Sequence, residues 1–101
     1  MIVVYGKTMS LRNVSHAQEL FNYMQQKGLK YIVEEKFLKL LRNEMKMEVK
    51  AEGVSDFNQV KANTEVVMSL GGDGTILDAV VMVKESEIPI LGVNFGRLGF
   101  L

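Results

Sequence analysis

The amino-acid sequence predicts an α/β fold of three layers, in which helices cover both faces of a mostly parallel sheet. Short runs rich in β-branched residues alternate with segments whose apolar residues recur at helical spacing, which is typical of parallel α/β units. Two of the short runs are almost entirely apolar, as expected of strands covered on both faces. The 101 residues suffice for one hydrophobic core, and we interpret residues 1–101 as a single α/β domain.

The first predicted strand covers residues 2–5 and ends at Gly6. A helix is then predicted to begin at Ser15, whose hydroxyl would accept the third helical N–H while Gln18 reaches back to complete a capping box. Gly28 is expected to end this helix, because glycine readily adopts the left-handed conformation found there. The apolar residues of the helix recur at the required spacing and are Ala17, Leu20, Phe21 and Met24.

Residues 31–33 predict a second strand, which is followed by a second helix. We interpret the charged segment 34–50 as the solvated face of that helix. Residues 47–63 fit a short strand, a helical turn or a loop equally well, because their apolar residues are isolated. The apolar residues that place one face of the second helix on the core are Phe37, Leu38, Leu41 and Met45.

The last third of the chain predicts a strand, a helix and a final strand. Residues 66–70 are almost continuously apolar and run directly into glycines, and residues 88–93 predict a last buried strand. The apolar residues that recur at helical spacing between these two strands are Ile76, Leu77, Val80 and Val81.

The charge balance and composition argue against several classes of function. Equal numbers of basic and acidic residues, 12 Lys+Arg and 12 Asp+Glu, argue against a nucleic-acid-binding surface. The apolar runs are far shorter than the roughly 20 residues of a membrane span. The amino terminus lacks the pattern of a secretory signal, and the absence of cysteine excludes disulfides and thiolate metal sites. We therefore expect a cytoplasmic protein without nucleic-acid or membrane partners.

The strongest functional signal is Gly-Gly-Asp-Gly-Thr at residues 71–75, between a buried strand and a helix. Ligands bind at this end of the strands in α/β folds, and glycines allow phosphate groups to approach the backbone and the helical N–H groups. Asp73 would repel phosphates unless a cation bridges them or the carboxylate accepts a proton from a hydroxyl, so it favours catalysis over passive binding. In a simpler interpretation, Asp73 or Thr75 only caps the helix.

Two better-known phosphate motifs do not match this segment. A P-loop requires Gly-Lys-Ser/Thr, which the chain lacks. The dinucleotide-binding fingerprint requires a third glycine where Leu77 stands, and an acidic residue about 20 positions further on is missing. The loop therefore belongs to another class of phosphate-handling site.

A second glycine-containing segment follows the last predicted strand. Asn94 would lie at the same end of a parallel sheet as Asp73 and is able to hydrogen-bond a ligand, and Phe100 is able to stack on a base. The alternative for Phe100 is a core aromatic, and His16 is interpreted as a surface residue. The chain ends on the apolar pair Phe100 and Leu101, which suggests a fragment of a longer protein.

Together these residues resemble the amino-terminal part of the NAD kinase family. The Gly-Gly-Asp-Gly-Thr loop alone is shared with diacylglycerol and sphingosine kinases and, in a variant form, with phosphofructokinases. The second segment is specific to NAD kinases, whose pattern is roughly G-x-N-x-G-x-L-G-F-L. The residues that match it here are Gly92, Asn94, Gly96, Leu98, Gly99, Phe100 and Leu101.

The resemblance implies transfer of the terminal phosphate of ATP, or in some members polyphosphate, to the adenosine ribose 2'-hydroxyl of NAD, giving NADP. It also implies a divalent metal such as Mg²⁺, a homo-oligomer when full length, and Asp73 as the general base. The other implied nucleotide-site residues are Gly72, Gly74 and Thr75 near the phosphates, Leu77 near the nucleotide, Phe100 against the adenine, and Asn94 and Arg97 in the second loop.

Two features depart from the family pattern. Many members have a basic residue where this chain has Asp78, so either another cation contacts the phosphates or Asp78 only caps the helix. The family also has an all-β domain that completes the site, and we expect the isolated 101 residues to be inactive. The alternatives are a lipid kinase of the diacylglycerol kinase type and a non-catalytic nucleotide-binding module.

Overall fold

The computed structural model describes residues 1–95. Within them the strands are β1 Ile2–Gly6, β2 Tyr31–Glu34, β3 Gly53–Val54, β4 Val66–Leu70 and β5 Ile90–Val93, and the helices are α1 Val14–Gln26, α2 Glu35–Lys39 and α3 Asp73–Val83. A π-helical turn, Leu40–Glu44, continues α2. Short 3₁₀ turns occupy Leu11–Asn13, Phe57–Gln59, Lys61–Asn63 and Lys84–Ser86.

The five strands form one parallel sheet in the order β3, β2, β1, β4, β5. The central strand β1 pairs with β4 along its whole length, from Ile2 opposite Val66 to Gly6 opposite Leu70. Apolar residues dominate these two strands, as expected of strands whose two faces are both covered. The predicted three-layer α/β fold is thus confirmed.

Helices α1 and α2 pack on one face of the sheet, which we call the closed face. Phe21 of α1, Phe37 of α2 and Leu41 of the π-helical turn that continues α2 are completely buried against the even-numbered residues of β1 and β4. The closed-face core consists of Val4, Ala17, Phe21, Met24, Tyr31, Val33, Phe37, Leu38, Leu41, Met47, Val49, Met68 and Leu70. Large side chains from two helices therefore fill this layer.

Helix α3 packs on the opposite face, which we call the open face. Its buried core is small and consists of Val3, Val67, Ala79 and Val83. The predicted helix is present, but its recurrent apolar residues mostly face outward, with Leu77 66% and Val81 61% exposed. The last strand predicted over 88–93 is present as β5, but the prediction that it is buried is wrong, because β5 is an edge strand in which Leu91 is half-exposed.

The predicted capping box of α1 is also wrong. The helix begins one residue before Ser15, and its N-cap Asn13 makes no side-chain capping hydrogen bond. The Gln18 amide instead donates to the Glu48 carbonyl at 2.7 Å, and the Glu48 N–H donates to Gln18 Oε1 at 3.0 Å. A tertiary contact therefore outcompetes the local one. Gly28 adopts the predicted left-handed conformation, with φ +68°.

The charged segment 34–50 does more than solvate a helix face. The Glu34 carboxylate caps α2 by accepting the N–H groups of Lys36 and Phe37 at 3.0 and 3.1 Å. Arg42 donates to the carbonyls of Val49 and Ala51 at 2.7 and 2.8 Å. These bonds fix the segment that leads from α2 into β3.

Candidate functional site

The strand order creates a crevice where β1 and β4 lie side by side. After β1 the chain turns to α1 on the closed face, and after β4 it turns to α3 on the open face. Because the two connections diverge, space opens at the carboxyl ends of these strands. Open α/β sheets bind ligands at such a switch point.

A cavity of about 200 Å³ occupies this position. Its lining includes Gly72 and Asn94, two residues singled out by the sequence, from the ends of neighbouring strands. The Gly71 N–H donates to the Val93 carbonyl at 2.9 Å and so ties the two loops together. The complete lining is Thr8, Met9, Ser10, Asn13, Leu70, Gly71, Gly72, Asn94 and Phe95.

The glycines of the loop meet different requirements. Gly71 has φ +144°, and a Cβ there would lie 2.7 Å from Thr75 Oγ1. A side chain at this position would therefore clash and strain the backbone. By contrast, a Cβ on Gly72 or Gly74 would meet no protein atom within 4 Å. Because Gly72 and Gly74 have no side chain, the backbone at these two positions is accessible from the solvent.

Helix α3 begins directly at the loop, with Gly72 as its N-cap. The Gly72 carbonyl accepts the N–H groups of Thr75 and Ile76 at 3.1 and 3.3 Å. The N–H groups of Asp73 and Gly74 have no backbone acceptor within residues 1–95. The interpretation that Asp73 or Thr75 caps the helix is wrong, because both residues lie inside the helix and Gly72 is its N-cap.

Asp73 and Thr75 differ sharply in accessibility. The Asp73 side chain is exposed and makes no hydrogen bond or ion pair with any described residue. Thr75 is buried beneath Gly71 and does not line the cavity. The carboxylate is thus available to a ligand, whereas the threonine supports the loop from below.

Asp78 lies one helical turn further along α3 and binds two groups from β1 and its following loop. Lys7 Nζ lies 2.8 Å from Asp78 Oδ2, and the Tyr5 hydroxyl donates to the same oxygen at 3.5 Å. The hydrogen bond to Asp78, reinforced by its charge, raises the pKa of Lys7. Burial, together with the charge of Asp78, raises the pKa of Tyr5. Both groups therefore remain protonated at neutral pH.

The other residues singled out by the sequence are dispersed. Leu77 is exposed on α3 and is not part of the cavity lining. Phe95 lines the cavity and stacks on exposed His16, with ring centroids 6.3 Å apart. Arg97 and Phe100 lie outside the described residues.

The cavity residues that sequence reasoning missed come from the loop between β1 and α1. Thr8, Ser10 and Asn13 face the glycine loop because β1 and β4 are neighbours. The sequence does show a short polar segment directly after the buried strand that ends at Gly6. This segment can be assigned to the site only when the strand order is known, and the sequence does not specify that order.

Within residues 1–95, groups of three or more His, Cys, Asp or Glu that could hold a metal ion are absent. Helices of the length and apolarity needed to cross a membrane are also absent from this part of the chain.

Comparison with known proteins relates the whole chain to one family. The model of the ATP-NAD kinase N-terminal domain matches residues 2–101. The chain is 41% identical over 98 residues to an NAD kinase of Bacteroides fragilis, covering 97% of this chain and 33% of the relative. It is 37% identical over 100 residues to an NAD kinase of Geobacter sp. (strain M21), covering 99% of this chain and 33% of the relative. The chain thus spans about a third of the length of these curated relatives.

Proposed function

This chain belongs to the NAD kinase family, and from that premise we propose that it forms the nucleotide-binding part of an enzyme that phosphorylates NAD. The terminal phosphate of ATP, or of polyphosphate, is transferred to the 2'-hydroxyl of the adenosine ribose, and the product is NADP. The observation that carries the proposal is the exposed, unpartnered carboxylate of Asp73 on a glycine loop at the β1/β4 crevice.

The glycine loop and the start of α3 bind the phosphates. The N–H groups of Asp73 and Gly74 have no backbone acceptor among the described residues and lie at the positive end of the helix dipole. The open space over Gly72 and Gly74 allows phosphate oxygens to approach them. Thr75 contributes indirectly, because its side chain packs beneath Gly71.

Asp73 acts as the general base. Its carboxylate accepts the proton of the ribose 2'-hydroxyl while the hydroxyl oxygen bonds to the terminal phosphorus of ATP, and ADP leaves. General-base catalysis of this kind contributes about 10²- to 10⁴-fold in rate. Phosphoryl transfer otherwise depends on positioning and on stabilisation of the spreading charge.

A divalent ion such as Mg²⁺ would be brought to the site by the nucleotide phosphates. Mg²⁺ sites commonly combine one or two carboxylates with substrate phosphates. When bound, the ion would neutralise charge on the transferred phosphate.

The remaining nucleotide contacts involve the second loop. Asn94 lines the cavity and is assigned to ligand binding, and Leu77 is assigned to packing near the nucleotide. Arg97 and Phe100 keep their predicted roles, in shaping the second loop and contacting the adenine. Because the chain spans a third of its relatives, residues elsewhere in the full-length protein complete the site, and the isolated 101 residues should bind NAD weakly and turn over poorly.

The decisive experiment uses the protein at the full length of its relatives, supplied with NAD, ATP and Mg²⁺. NADP is detected with an NADP-specific dehydrogenase, beside an Asp73→Asn variant. We expect NADP formation by the wild type and at least a 10²-fold loss of kcat in the variant, with nucleotide binding retained. A folded wild type that makes no NADP contradicts the proposal, and phosphorylation of a lipid alcohol would support the diacylglycerol kinase alternative.

Compartment and assembly are parts of the same proposal. We place the enzyme in the cytoplasm and expect the full-length protein to form a homo-oligomer. Light scattering of the purified protein tests the second statement, since a monomeric mass contradicts it.

A further inference from the structure

The start of α3 has a charge problem as a phosphate site. Two carboxylates, Asp73 and Asp78, lie within its first two turns, and each repels a phosphate that approaches the glycine loop. The helix dipole contributes only about half a positive charge at this end. A basic side chain nearby, in addition to the Mg²⁺ that would accompany the nucleotide, would offset this repulsion.

Lys7 is placed to supply that charge. In the parallel ladder Gly6 lies opposite Leu70, so the next residue on each strand, Lys7 and Gly71, starts from neighbouring positions about 5 Å apart. The lysine backbone therefore leaves the sheet beside the first glycine of the loop. Its side chain extends across to α3, where Nζ lies 2.8 Å from Asp78 Oδ2.

The ion pair holds the ammonium group without burying it. The Lys7 side chain is 53% exposed and that of Asp78 is 42% exposed. Such exposed pairs contribute little to stability, so the fold does not require this one. An ammonium group has three N–H donors, and Asp78 occupies one of them. Two donors remain for a ligand.

We infer that Lys7 binds a phosphate group of the nucleotide at the glycine loop, and that Asp78 is a positioning residue that holds the lysine there. This inference rests on the proposed function and adds a ligand contact to it. Tyr5 supports the arrangement, because its hydroxyl donates to the same oxygen of Asp78. The phosphate is that of ATP or the pyrophosphate of NAD, which share the same chemistry.

The first test measures KM for ATP and for NAD in the full-length protein carrying Lys7→Met. We expect an increase of about tenfold in KM for one of the two nucleotides, because a charge-assisted hydrogen bond is lost. The nucleotide affected identifies which phosphate is bound. Lys7→Arg should keep that KM within about threefold of the wild type, because the charge remains.

The matched control is Lys39→Met on α2, which removes a lysine from another exposed ion pair, that with Glu35. Lys39 belongs to α2 on the closed face, whereas the glycine loop leads into α3 on the open face, so both KM values should remain unchanged. If Lys7→Met leaves both KM values within twofold of the wild type, as in the control, the inference is wrong.

A second test addresses the positioning role of Asp78. With Lys7 present, Asp78→Asn should weaken nucleotide binding two- to threefold, because the ammonium group loses its anchor. In the Lys7→Met background the same change should tighten binding, because it removes an unpaired carboxylate beside the phosphates. Effects of the same sign in both backgrounds would refute the positioning role.

Direct titration with ATP separates this inference from the proposed function. If the wild type binds ATP but forms no NADP, the proposed function fails, while the comparison of ATP affinity between wild type and Lys7→Met still tests the lysine. If NADP forms and Lys7→Met changes neither nucleotide KM nor ATP affinity, the inference fails alone.

Discussion

The two faces of the sheet differ in how much apolar side chain they bury. On the closed face, two helices bury large residues such as Phe21, Phe37 and Leu41. On the open face, α3 meets the sheet mainly through Ala79 and Val83, while larger apolar residues of the same helix remain exposed. Burial of apolar surface is the main favourable contribution to folding, so stability should reside chiefly on the closed face.

The difference also separates the residues expected to determine stability from those to which we assign the chemistry. The thinly packed helix α3 begins at the glycine loop and carries both Asp73 and Asp78. The closed face instead fixes the strands whose ends form the crevice. Changes on the closed face should therefore alter folding first, whereas changes along the outer side of α3 should leave folding nearly intact.

The largest effect is expected from Phe21→Ala on the closed face. The ring is fully buried in α1, so its removal should lower the free energy of unfolding by about 3–5 kcal/mol. Tyr23→Ala is the matched control, because this aromatic residue lies on the exposed side of the same helix. Urea denaturation of both variants measures the difference. Equal losses in the two variants would mean that burial in the closed-face core is not the reason why Phe21 stabilises the protein.

A smaller effect is expected from adding one methyl group on the closed face, in Gly6→Ala. A Cβ there would lie 2.5 Å from the buried Phe37 ring, so the ring would have to shift out of its place in the core. The free energy of unfolding should fall by about 1–3 kcal/mol. The same substitution at Gly74 on α3 meets no protein atom and should not destabilise the protein. Thermal unfolding of the two variants, compared with the wild type, tests this contrast.

Much of the fold was predictable because its signals are local. β-Branched runs predict the strands, a helical spacing of apolar residues predicts α1, and Gly28 ends α1 in the left-handed conformation as expected. The outward orientation of Leu77 and Val81 was not predictable. Apolar residues surround most of α3, so their spacing does not indicate which side meets the sheet.

The part of the site that the glycine loop forms was predictable from the sequence, whereas the parts that depend on strand order were not. The glycine loop and Asn94 were expected at the same end of a parallel sheet, and the structure places Gly72 and Asn94 around one cavity. The contribution of Thr8 and Ser10 depends on β1 lying beside β4, which is a long-range pairing. The pairing of Lys7 with Asp78 depends on the same neighbourhood, so spacing along the chain does not reveal it.

The open face also contains an unsatisfied polar group. Ser69 lies on β4, on the same side as Val67, and is completely buried. Its hydroxyl has no hydrogen-bond partner among residues 1–95. Thr64 provides a contrast, because its buried hydroxyl donates to the Val60 carbonyl at 2.8 Å. Burial of an unpaired hydroxyl is unfavourable, whereas burial of a paired one is not.

The smallest expected effect, and the only gain, follows from Ser69→Ala. Removal of the unpaired hydroxyl should raise the free energy of unfolding by up to about 1 kcal/mol, whereas Thr64→Val should lower it by about 1 kcal/mol because a hydrogen bond is lost. Urea denaturation of both variants measures the two signs. A loss of stability in Ser69→Ala would mean that this hydroxyl is paired in the protein in solution. A hydrogen bond beneath α3 would then help to hold this helix on the sheet. The packing of α3 would be more stable than the small apolar core of the open face indicates.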